Sequence, residues 1–304
     1  MINDRGMPVK TNCSYKTYLS INTVIVMNLV CKRLGIAAIV WMCTLAACKK
    51  DELPKGPVPA DDYIESKPPA QSGVAVKINN AIGGFYQALP SYYGETTKKY
   101  PLLISLHGGG QTGNGNTNLP YLLNDGVAKM ISQQKFPANF VVNGKNYSFI
   151  VLTPQFSRYP GEEEVESFIQ YAKKRYRIDA SRVYITGLSL GGYVASDMGA
   201  KYPSELAAIV PMSGVSVSGD LKAKAASIAK GNLPTWYFSN SDDPSIGLYN
   251  FTNFIALLNS NAPVTAPRHT VFNQYGHDSW SKALDSNYKE NGKNVFEWML
   301  QYSR

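Results

Sequence analysis

Short apolar runs, too short for helices, recur along most of the chain. They are rich in Ile, Val, Leu and aromatic residues, and continuous runs of this kind are typical of strands that are buried on both faces. Two further short strands are predicted at Val74–Ile82 and Phe85–Leu89, with a turn at Gly83-Gly84. The apolar runs are Leu102–Leu106, Phe149–Thr153, Val183–Thr186, Ala207–Val210, Thr235–Phe238 and His269–Phe272.

Segments with helical periodicity lie between these runs. Glu162–Tyr176 begins with three glutamates and ends with Lys173-Lys174-Arg175, which is the charge polarity that a helix dipole favours. Alternation of strands and helices predicts an α/β fold with a mostly parallel sheet, helices on both faces and a ligand site at the carboxyl ends of the strands. The other predicted helices are Tyr121–Gln133, Gly192–Lys201, Ile246–Asn259 and Val295–Tyr302.

Cysteine usage separates the N-terminus from the rest of the chain. All four cysteines precede residue 49 of the 304-residue sequence. A disulfide scaffold, a Cys-ligated zinc site and a Cys nucleophile are therefore excluded for the body. The four are Cys13, Cys31, Cys43 and Cys48.

The N-terminus has the parts of a secretory signal. From Met27 the chain reads MNLVCKR, then the apolar LGIAAIVWMCTL, then AAC, which ends at Cys48. The apolar run is shorter than the roughly 20 residues that span a bilayer. We predict that residues 1–47 comprise upstream sequence and a signal peptide, with the true start at Met27, and that the Pro-rich residues 48–72 form a tether.

The four residues that end this signal, Leu45-Ala46-Ala47-Cys48, resemble a bacterial lipobox. The resemblance implies that Cys48 is lipidated and that the protein is held on a bacterial membrane, expected to be the outer membrane, through this lipid alone. An ordinary signal peptide that contains a cysteine is the alternative, and the periplasmic or outward orientation is left open.

Net charge does not point to a nucleic-acid partner. The formal charge is +8, but residues 1–47 hold five Lys or Arg and one acid, which leaves 25 basic and 21 acidic residues in the rest. These basic residues are scattered and form no stripe with interleaved aromatics, so nucleic-acid binding is not expected.

A candidate nucleophile lies between a predicted strand and a predicted helix, in Gly187-Leu-Ser189-Leu-Gly191. Glycines two residues before and after a serine permit the sharp turn that lifts its hydroxyl clear of the sheet. The helix that follows stabilises negative charge at its N-terminus. We predict Ser189 as the nucleophile; a Gly-rich turn with an incidental serine is the alternative.

A serine nucleophile needs a base and an acid, which follow it in the chain in this architecture. Of the two later histidines, His269 lies within a strand pattern and His277 lies in a loop beyond it, so His277 is the predicted base. The acid should follow the strand Thr235–Phe238, where Asp242 and Asp243 are adjacent. We favour Asp243 over Asp242 because Pro244 biases the preceding residue toward extended geometry.

Two amides are needed to bind the oxyanion. The amide of Leu190 is one candidate, and the glycine-rich loop after Leu102–Leu106 offers Gly109, with Gly110 as the second choice. His107 precedes Ser189 and is interpreted as a hydrogen-bonding residue of this loop. Trp280, Phe156 and Tyr159 are aromatic candidates for contact with the substrate, although packing is the more ordinary role.

Four separated pieces of sequence together resemble the α/β-hydrolase superfamily, in particular the group of feruloyl esterases, acetylxylan esterases and polyhydroxybutyrate depolymerases. The pieces are LHGGG, YRIDASRVYITGLSLGG, SDDP and GHDSW. The resemblance implies a catalytic domain over residues 73–304 with no metal or organic cofactor. It implies Ser189 as nucleophile, Asp243 as acid, His277 as base, and Gly109 and Leu190 as oxyanion donors.

The function predicted from these residues is hydrolysis of a carboxylic ester through an acyl-enzyme on Ser189. The substrate is expected to be a small-molecule or polysaccharide-borne ester, with carbohydrate-linked acetyl and feruloyl esters as candidates and Trp280 as a substrate contact. A serine peptidase of prolyl-oligopeptidase-like type and a non-catalytic glycan-binding surface lipoprotein are the alternatives. The longest candidate for a lid, Gly214–Asn232, is small.

Overall fold

A computed structural model describes residues 64–304 of the chain. The predicted signal peptide, the predicted start at Met27 and the predicted lipidation site at Cys48 lie outside these residues. Ten strands form one eight-stranded sheet, in the order β1-β2-β6-β3-β7-β8-β9-β10, and a small β4-β5 hairpin. Their bounds are β1 Ala70–Val74, β2 Ile82–Leu89, β3 Tyr100–Leu106, β4 Phe140–Val142, β5 Lys145–Tyr147, β6 Ile150–Phe156, β7 Ile178–Leu188, β8 Ala208–Met212, β9 Trp236–Asp242 and β10 Arg268–Tyr275.

Strands β6, β3, β7, β8, β9 and β10 run parallel to one another. At the β6 edge, β2 pairs antiparallel with β6 and β1 pairs antiparallel with β2. The chain forms seven α-helices within the described residues. These are α1 Gly126–Ser132, α2 Glu162–Arg175, α3 Leu190–Lys201, α4 Leu221–Lys230, α5 Leu248–Ser260, α6 Trp280–Ala283 and α7 Val295–Met299. None of the helices in this part of the chain is long and apolar enough to cross a membrane.

Helices cover both faces of the sheet because the parallel strands are apolar on both sides. In β7, Val183 and Ile185 pack into one apolar cluster and Tyr184 packs into the other. Residues of α2, α3, α4 and α5 belong to the first cluster, and residues of α1, α6 and α7 belong to the second. This arrangement agrees with the predicted α/β architecture.

Two N-terminal predictions need correction. The predicted boundary at residue 72 between tether and catalytic domain lies too late in the chain, because Ala70–Val74 pairs with β2 and the carboxylate of the buried Glu65 accepts hydrogen bonds from Ser91 and from the backbone of Tyr92. The turn predicted at Gly83-Gly84 lies inside β2. These glycines admit the backbone of the loop at residues 114–115, which a side chain at either position would overlap.

Three other elements differ from prediction. The helix predicted over Tyr121–Gln133 is divided into a 3₁₀ helix, Leu119–Asn124, and α1, because Gly126, the first residue of α1, has a φ of 72°. The Ala/Lys-rich segment considered as a lid contains α4, whose Ala225 and Ile228 are buried in the core. The β4-β5 hairpin was not predicted, although its turn, Asn143-Gly144, carries a strong hairpin signal.

Candidate active site

The predicted site residues come from the carboxyl ends of strands that lie side by side. In the sheet order β3-β7-β8-β9-β10, Ser189 directly follows β7, Asp243 directly follows β9, and His277 lies two residues beyond β10. The glycine-rich loop with Gly109 follows β3. Because parallel strands end at the same edge of the sheet, residues far apart in sequence converge there.

Ser189 lies at a sharp turn between β7 and α3. Its backbone has φ of 51° and ψ of −116°, a conformation that side chains rarely adopt and that is retained only where the surroundings enforce it. A Cβ at Gly187 would overlap the carbonyl of Gly191, and a Cβ at Gly191 would overlap the carbonyl of Leu106. The glycines therefore permit the close backbone packing that holds this turn.

The side chains of Ser189, His277 and Asp243 form one hydrogen-bonded relay. Nδ1 of His277 lies 2.8 Å and 2.9 Å from the two carboxylate oxygens of Asp243, and Nε2 lies 2.8 Å from Oγ of Ser189. Because a carboxylate accepts hydrogen bonds, Nδ1 carries the proton, and Nε2 is left to accept from the serine hydroxyl. This geometry allows the imidazole to take the hydroxyl proton when Oγ attacks.

Asp243 is the aspartate that the structure brings to His277. Its side chain is fully buried, and Oδ1 also accepts hydrogen bonds from the amides of Ser245 and Ile246. Asp242 is exposed and ends β9, where its backbone carbonyl accepts the amide of Gly276. The choice of Asp243 over Asp242 thus agrees with the geometry.

The loop that carries His277 is held by polar side chains that the sequence analysis did not identify. The hydroxyl of Ser213 donates to the carbonyl of His277 at 2.6 Å, and the amide of Asn240 donates to the carbonyl of Gly276 at 2.7 Å. Gln274 donates both to Asn240 and to the carbonyl of Asp278. The positions of Ser213 and Asn240, each just after or near the end of a parallel strand, are the signal that could have suggested them.

The predicted oxyanion donors lie on two neighbouring loops. Leu190 is the first residue of α3, where backbone amides have no partner within the helix. Gly109 and Gly110 are exposed on the short turn after β3, and a Cβ at either position would meet no atom within 4 Å. The preference for Gly109 over Gly110 stays a prediction.

His107 is occupied by backbone hydrogen bonds, as the sequence analysis expects. Nε2 accepts the amide of Phe156 at 2.8 Å, so Nδ1 carries the proton and donates to the carbonyl of Gly108 at 2.7 Å. Burial lowers the pKa of His107 to about 4, which keeps its imidazole neutral near pH 7. The residue fixes the loop after β3 and takes no part in the relay.

Of the aromatic candidates, Trp280 contacts the relay. Its ring packs edge-to-face on His277 with centroids 5.4 Å apart, and its indole N–H donates to Asp125 at 3.3 Å. Phe156 is fully buried and packs on His107, so packing is its role. Tyr159 lies half exposed with its hydroxyl 3.4 Å from Asp197.

Residues 64–304 contain no cluster of three or more His, Cys, Asp or Glu side chains that could hold a metal ion.

Comparison with known proteins gives one family and two partial sequence matches. The family model described as phospholipase/carboxylesterase matches residues 93–290. A poly(3-hydroxyalkanoate) depolymerase C from Paucimonas lemoignei is 30% identical over 126 residues, which cover 38% of this chain and 28% of that protein. A bifunctional acetylxylan esterase/xylanase from Neocallimastix patriciarum is 26% identical over 155 residues, which cover 51% of this chain and 21% of that protein.

Solved structures match the chain at low sequence identity. A protein assigned as a dipeptidyl aminopeptidase IV from Bacteroides ovatus is 13% identical with a TM-score of 0.50, over 70% of this chain and 33% of the other. A feruloyl esterase module from Clostridium thermocellum, in complex with sinapinate, is 17% identical with a TM-score of 0.48, over 73% of this chain and 88% of the other. The segments matched in the depolymerase and in the acetylxylan esterase/xylanase cover less than a third of the length of each of those two proteins.

Proposed function

Because the chain belongs to the phospholipase/carboxylesterase family and has the α/β-hydrolase fold, we propose that it hydrolyses carboxylic esters through an acyl-enzyme on Ser189. The observation that carries the proposal is the relay from Ser189 through His277 to Asp243, with both hydrogen-bond distances near 2.8 Å. Such a relay supplies a nucleophile, a general base and an orienting carboxylate in hydrogen-bond contact.

In the first half of the reaction, Oγ of Ser189 attacks the ester carbonyl carbon while its proton passes to Nε2 of His277. The Asp243 carboxylate holds the imidazole in the required tautomer and stabilises the imidazolium that forms. The amides of Leu190 and Gly109 are proposed to bind the oxyanion of the tetrahedral intermediate. The bond to the alcohol oxygen then breaks, and the proton on Nε2 passes to that oxygen.

In the second half, water attacks the acyl-enzyme. His277 takes a proton from the water as it adds to the carbonyl carbon, and the Oγ–C bond breaks with return of that proton to Oγ. The products are a carboxylic acid and an alcohol, so the ester and water are consumed in balance. The protein's own residues supply each proton transfer in this scheme.

The proposal is tested by measuring turnover of 4-nitrophenyl acetate by the unmodified protein and by three variants, Ser189→Ala, Asp243→Asn and Asp242→Asn. We expect the Ser189→Ala change to lower kcat by at least about 10⁴-fold, and Asp243→Asn to lower it by about 10⁴-fold because the imidazole loses its orienting acceptor. Asp242→Asn is the matched control, and its exposed position predicts activity within about twofold of the unmodified protein.

A fluorophosphonate probe gives an independent readout. It should label Ser189 in the unmodified protein and should leave the Ser189→Ala variant unlabelled. If no ester is turned over and Ser189 is not labelled, the chain is not a serine hydrolase. Turnover that persists in Ser189→Ala would require another nucleophile.

We also propose carbohydrate-linked acetyl or feruloyl esters as the substrate class. The proposal is supported by the match to the bifunctional acetylxylan esterase/xylanase, although this chain matches only part of that protein's length. Release of acetate or ferulate from such esters, compared with release of an amine from a matched amide, would test this class against peptide hydrolysis.

Attachment to the outer membrane through a lipid on Cys48 is proposed from the sequence alone. The proposal is supported by the order of basic residues, apolar run and small residues before that cysteine. Labelled palmitate should enter the protein, and label that survives a Cys48→Ala change would contradict the proposal.

A further inference from the structure

A cavity of about 630 Å³ lies beside the relay, between α1 and the segment formed by α6 and the residues after it. None of Ser189, His277 and Asp243 lines this cavity, yet Trp280 both lines it and packs on the imidazole of His277. On the α1 side its wall includes Gly126, where a Cβ would lie 2.9 Å from the side chain of Leu188, the residue before Ser189. The cavity is therefore a direct neighbour of the reacting groups.

The proton transfers of the proposed reaction determine which part of an ester points toward this cavity. The acyl oxygen must lie toward the backbone amides of the oxyanion site, whereas the alcohol oxygen must lie within reach of Nε2 of His277, which protonates it. Because Trp280 lines the cavity and packs on the imidazole, which in the proposed reaction protonates the alcohol oxygen, we infer that the cavity lies on the alcohol side of the scissile bond.

The lining of the cavity combines an apolar surface with hydrogen-bonding groups. Trp280, Met130 and Leu284 provide the apolar part, and Gln133 and Ser281 are among the polar residues. The indole of Trp280 is held in place by its hydrogen bond to Asp125. An aromatic plane beside polar side chains suits a compact polar molecule that has one apolar face.

The charges of the lining are unequal in their pairing. Lys129 lies 3.6 Å from the carboxylate of Asp125, and Asp285 accepts a hydrogen bond from the backbone of Asn287 at 2.9 Å. Lys135 also lines the cavity, and no carboxylate within residues 64–304 forms an ion pair with it. Asp285 likewise forms no ion pair within these residues, but its Oδ1 accepts hydrogen bonds from the backbone and side-chain amides of Asn287. Lys135 is therefore the charged group of the lining that a ligand is expected to engage.

We propose that this cavity binds the alcohol portion of the ester and favours an alcohol that carries a carboxylate, with Lys135 as its ionic partner and Trp280 as its packing surface. This inference rests on the proposed ester hydrolysis and adds to it the chemistry of the leaving group. Sugar acids and short hydroxy acids are the two sources of such an alcohol.

Matched acetate esters separate this inference from the proposed hydrolysis. The first pair is the monoacetate of a methyl glucuronoside and the same monoacetate of the methyl glucoside. The second pair is 3-acetoxybutyrate and its neutral methylamide. Within each pair the acyl group is the same, so the ratio of kcat/KM values reports recognition of the carboxylate.

We expect a preference of about threefold to fivefold for the carboxylate ester in at least one pair, the size typical of a solvent-accessible ion pair. Preference in the sugar pair alone assigns sugar acids, preference in the butyrate pair alone assigns hydroxy acids, and preference in both supports the shared chemistry. The preference should decline as salt rises, because the partner is accessible to solvent.

Charge substitutions at one lysine provide the decisive control. Lys135→Gln should remove the preference and Lys135→Glu should reverse it, whereas Lys222→Gln, which removes an exposed lysine on α4, should leave the ratio unchanged. Equal rates within both pairs, or a ratio that Lys135→Glu does not alter, would overturn the inference while Ser189-dependent turnover of 4-nitrophenyl acetate would still stand. If no ester is hydrolysed, the proposed function itself fails.

Discussion

Backbone atoms position Ser189, whereas side chains position His277. Around the serine, the sharp turn between β7 and α3 packs directly on the backbone after β3, and glycines at 187 and 191 leave the room that this contact needs. The amide of Ser189 is tied in turn to the carbonyl of Met212 at the end of β8. Close contacts between backbone atoms leave little freedom for adjustment.

The loop of His277 has a different construction. It extends past the end of β10, and its carbonyls are held by the side chains of Ser213, Asn240 and Gln274. A substitution can remove each of these hydrogen bonds separately without causing a steric clash. The nucleophile half of the site should therefore fail abruptly when it is altered, and the acid–base half should lose function in steps.

The largest effect should follow a Gly191→Ala change. The added Cβ would overlap the carbonyl of Leu106 and lie 2.8 Å from that of His107, and backbone at this depth cannot move aside without disturbing β3 and β7. We expect a loss of about 3 kcal/mol or more in the free energy of unfolding, measured by urea denaturation.

Gly110→Ala is the matched control, because a Cβ at Gly110 would meet no atom within 4 Å. Its free energy of unfolding should stay within about 0.5 kcal/mol of the unmodified protein. Equal destabilisation by the two changes would show that the close backbone contact at Gly191 is not what fixes the serine turn.

The nucleophile half of the site is also tested by the pH dependence of the free energy of unfolding, through His107 in the loop after β3. Burial lowers the pKa of His107 to about 4 from an ordinary value of 6.5, so the folded protein favours the neutral imidazole. Above pH 6.5 the residue is neutral in both states and contributes no pH dependence. Between pH 6.5 and 4 the unfolded chain binds a proton that the folded protein does not, so the free energy of unfolding should fall by about 3 kcal/mol.

The control for this titration is the His107→Gln variant. It should be less stable than the unmodified protein at pH 7, because a buried hydrogen-bonding residue is replaced, but it should lack this part of the pH dependence. Carboxylates titrate in both proteins, so the difference between the two curves isolates His107. Parallel curves would contradict the assignment of a neutral, buried imidazole.

The two halves also differ in how far they follow from sequence. The strand, the G-x-S-x-G turn and the helix of the nucleophile are local, and their glycine spacing indicates Ser189 directly. Chain order selects His277, and Pro244 favours Asp243, but both arguments depend on the assumed architecture. The parallel order of strands then brings these residues together, as predicted.

For the side-chain bonds of the acid–base half, the sequence offers only the position of Ser213 and Asn240 near the ends of β8 and β9, which does not identify their partners. Ser213 and Asn240 meet the His277 loop across 64 and 36 positions of sequence, and neither residue belongs to a periodic pattern or a spaced motif. The misassigned turn at Gly83-Gly84 has a related cause, since those glycines admit a loop about 30 residues further along the chain. Long-range contacts of this kind are specified by the folded topology rather than by neighbouring residues.

The smallest effect should come from the acid–base half, in Asn240→Ala. Asn240 is fully buried, and its loss leaves the carbonyl of Gly276 without this donor, so unfolding should become easier by about 1 to 3 kcal/mol. A positioning role also predicts that kcat for 4-nitrophenyl acetate falls, by about tenfold, while KM stays near its original value, because His277 is less well oriented in the transition state.

Asn273→Ala, an exposed change in β10, is the control and should alter neither the free energy of unfolding nor kcat. If Asn240→Ala lowers stability and leaves kcat unchanged at a temperature where it is folded, its side chain supports the fold without orienting His277.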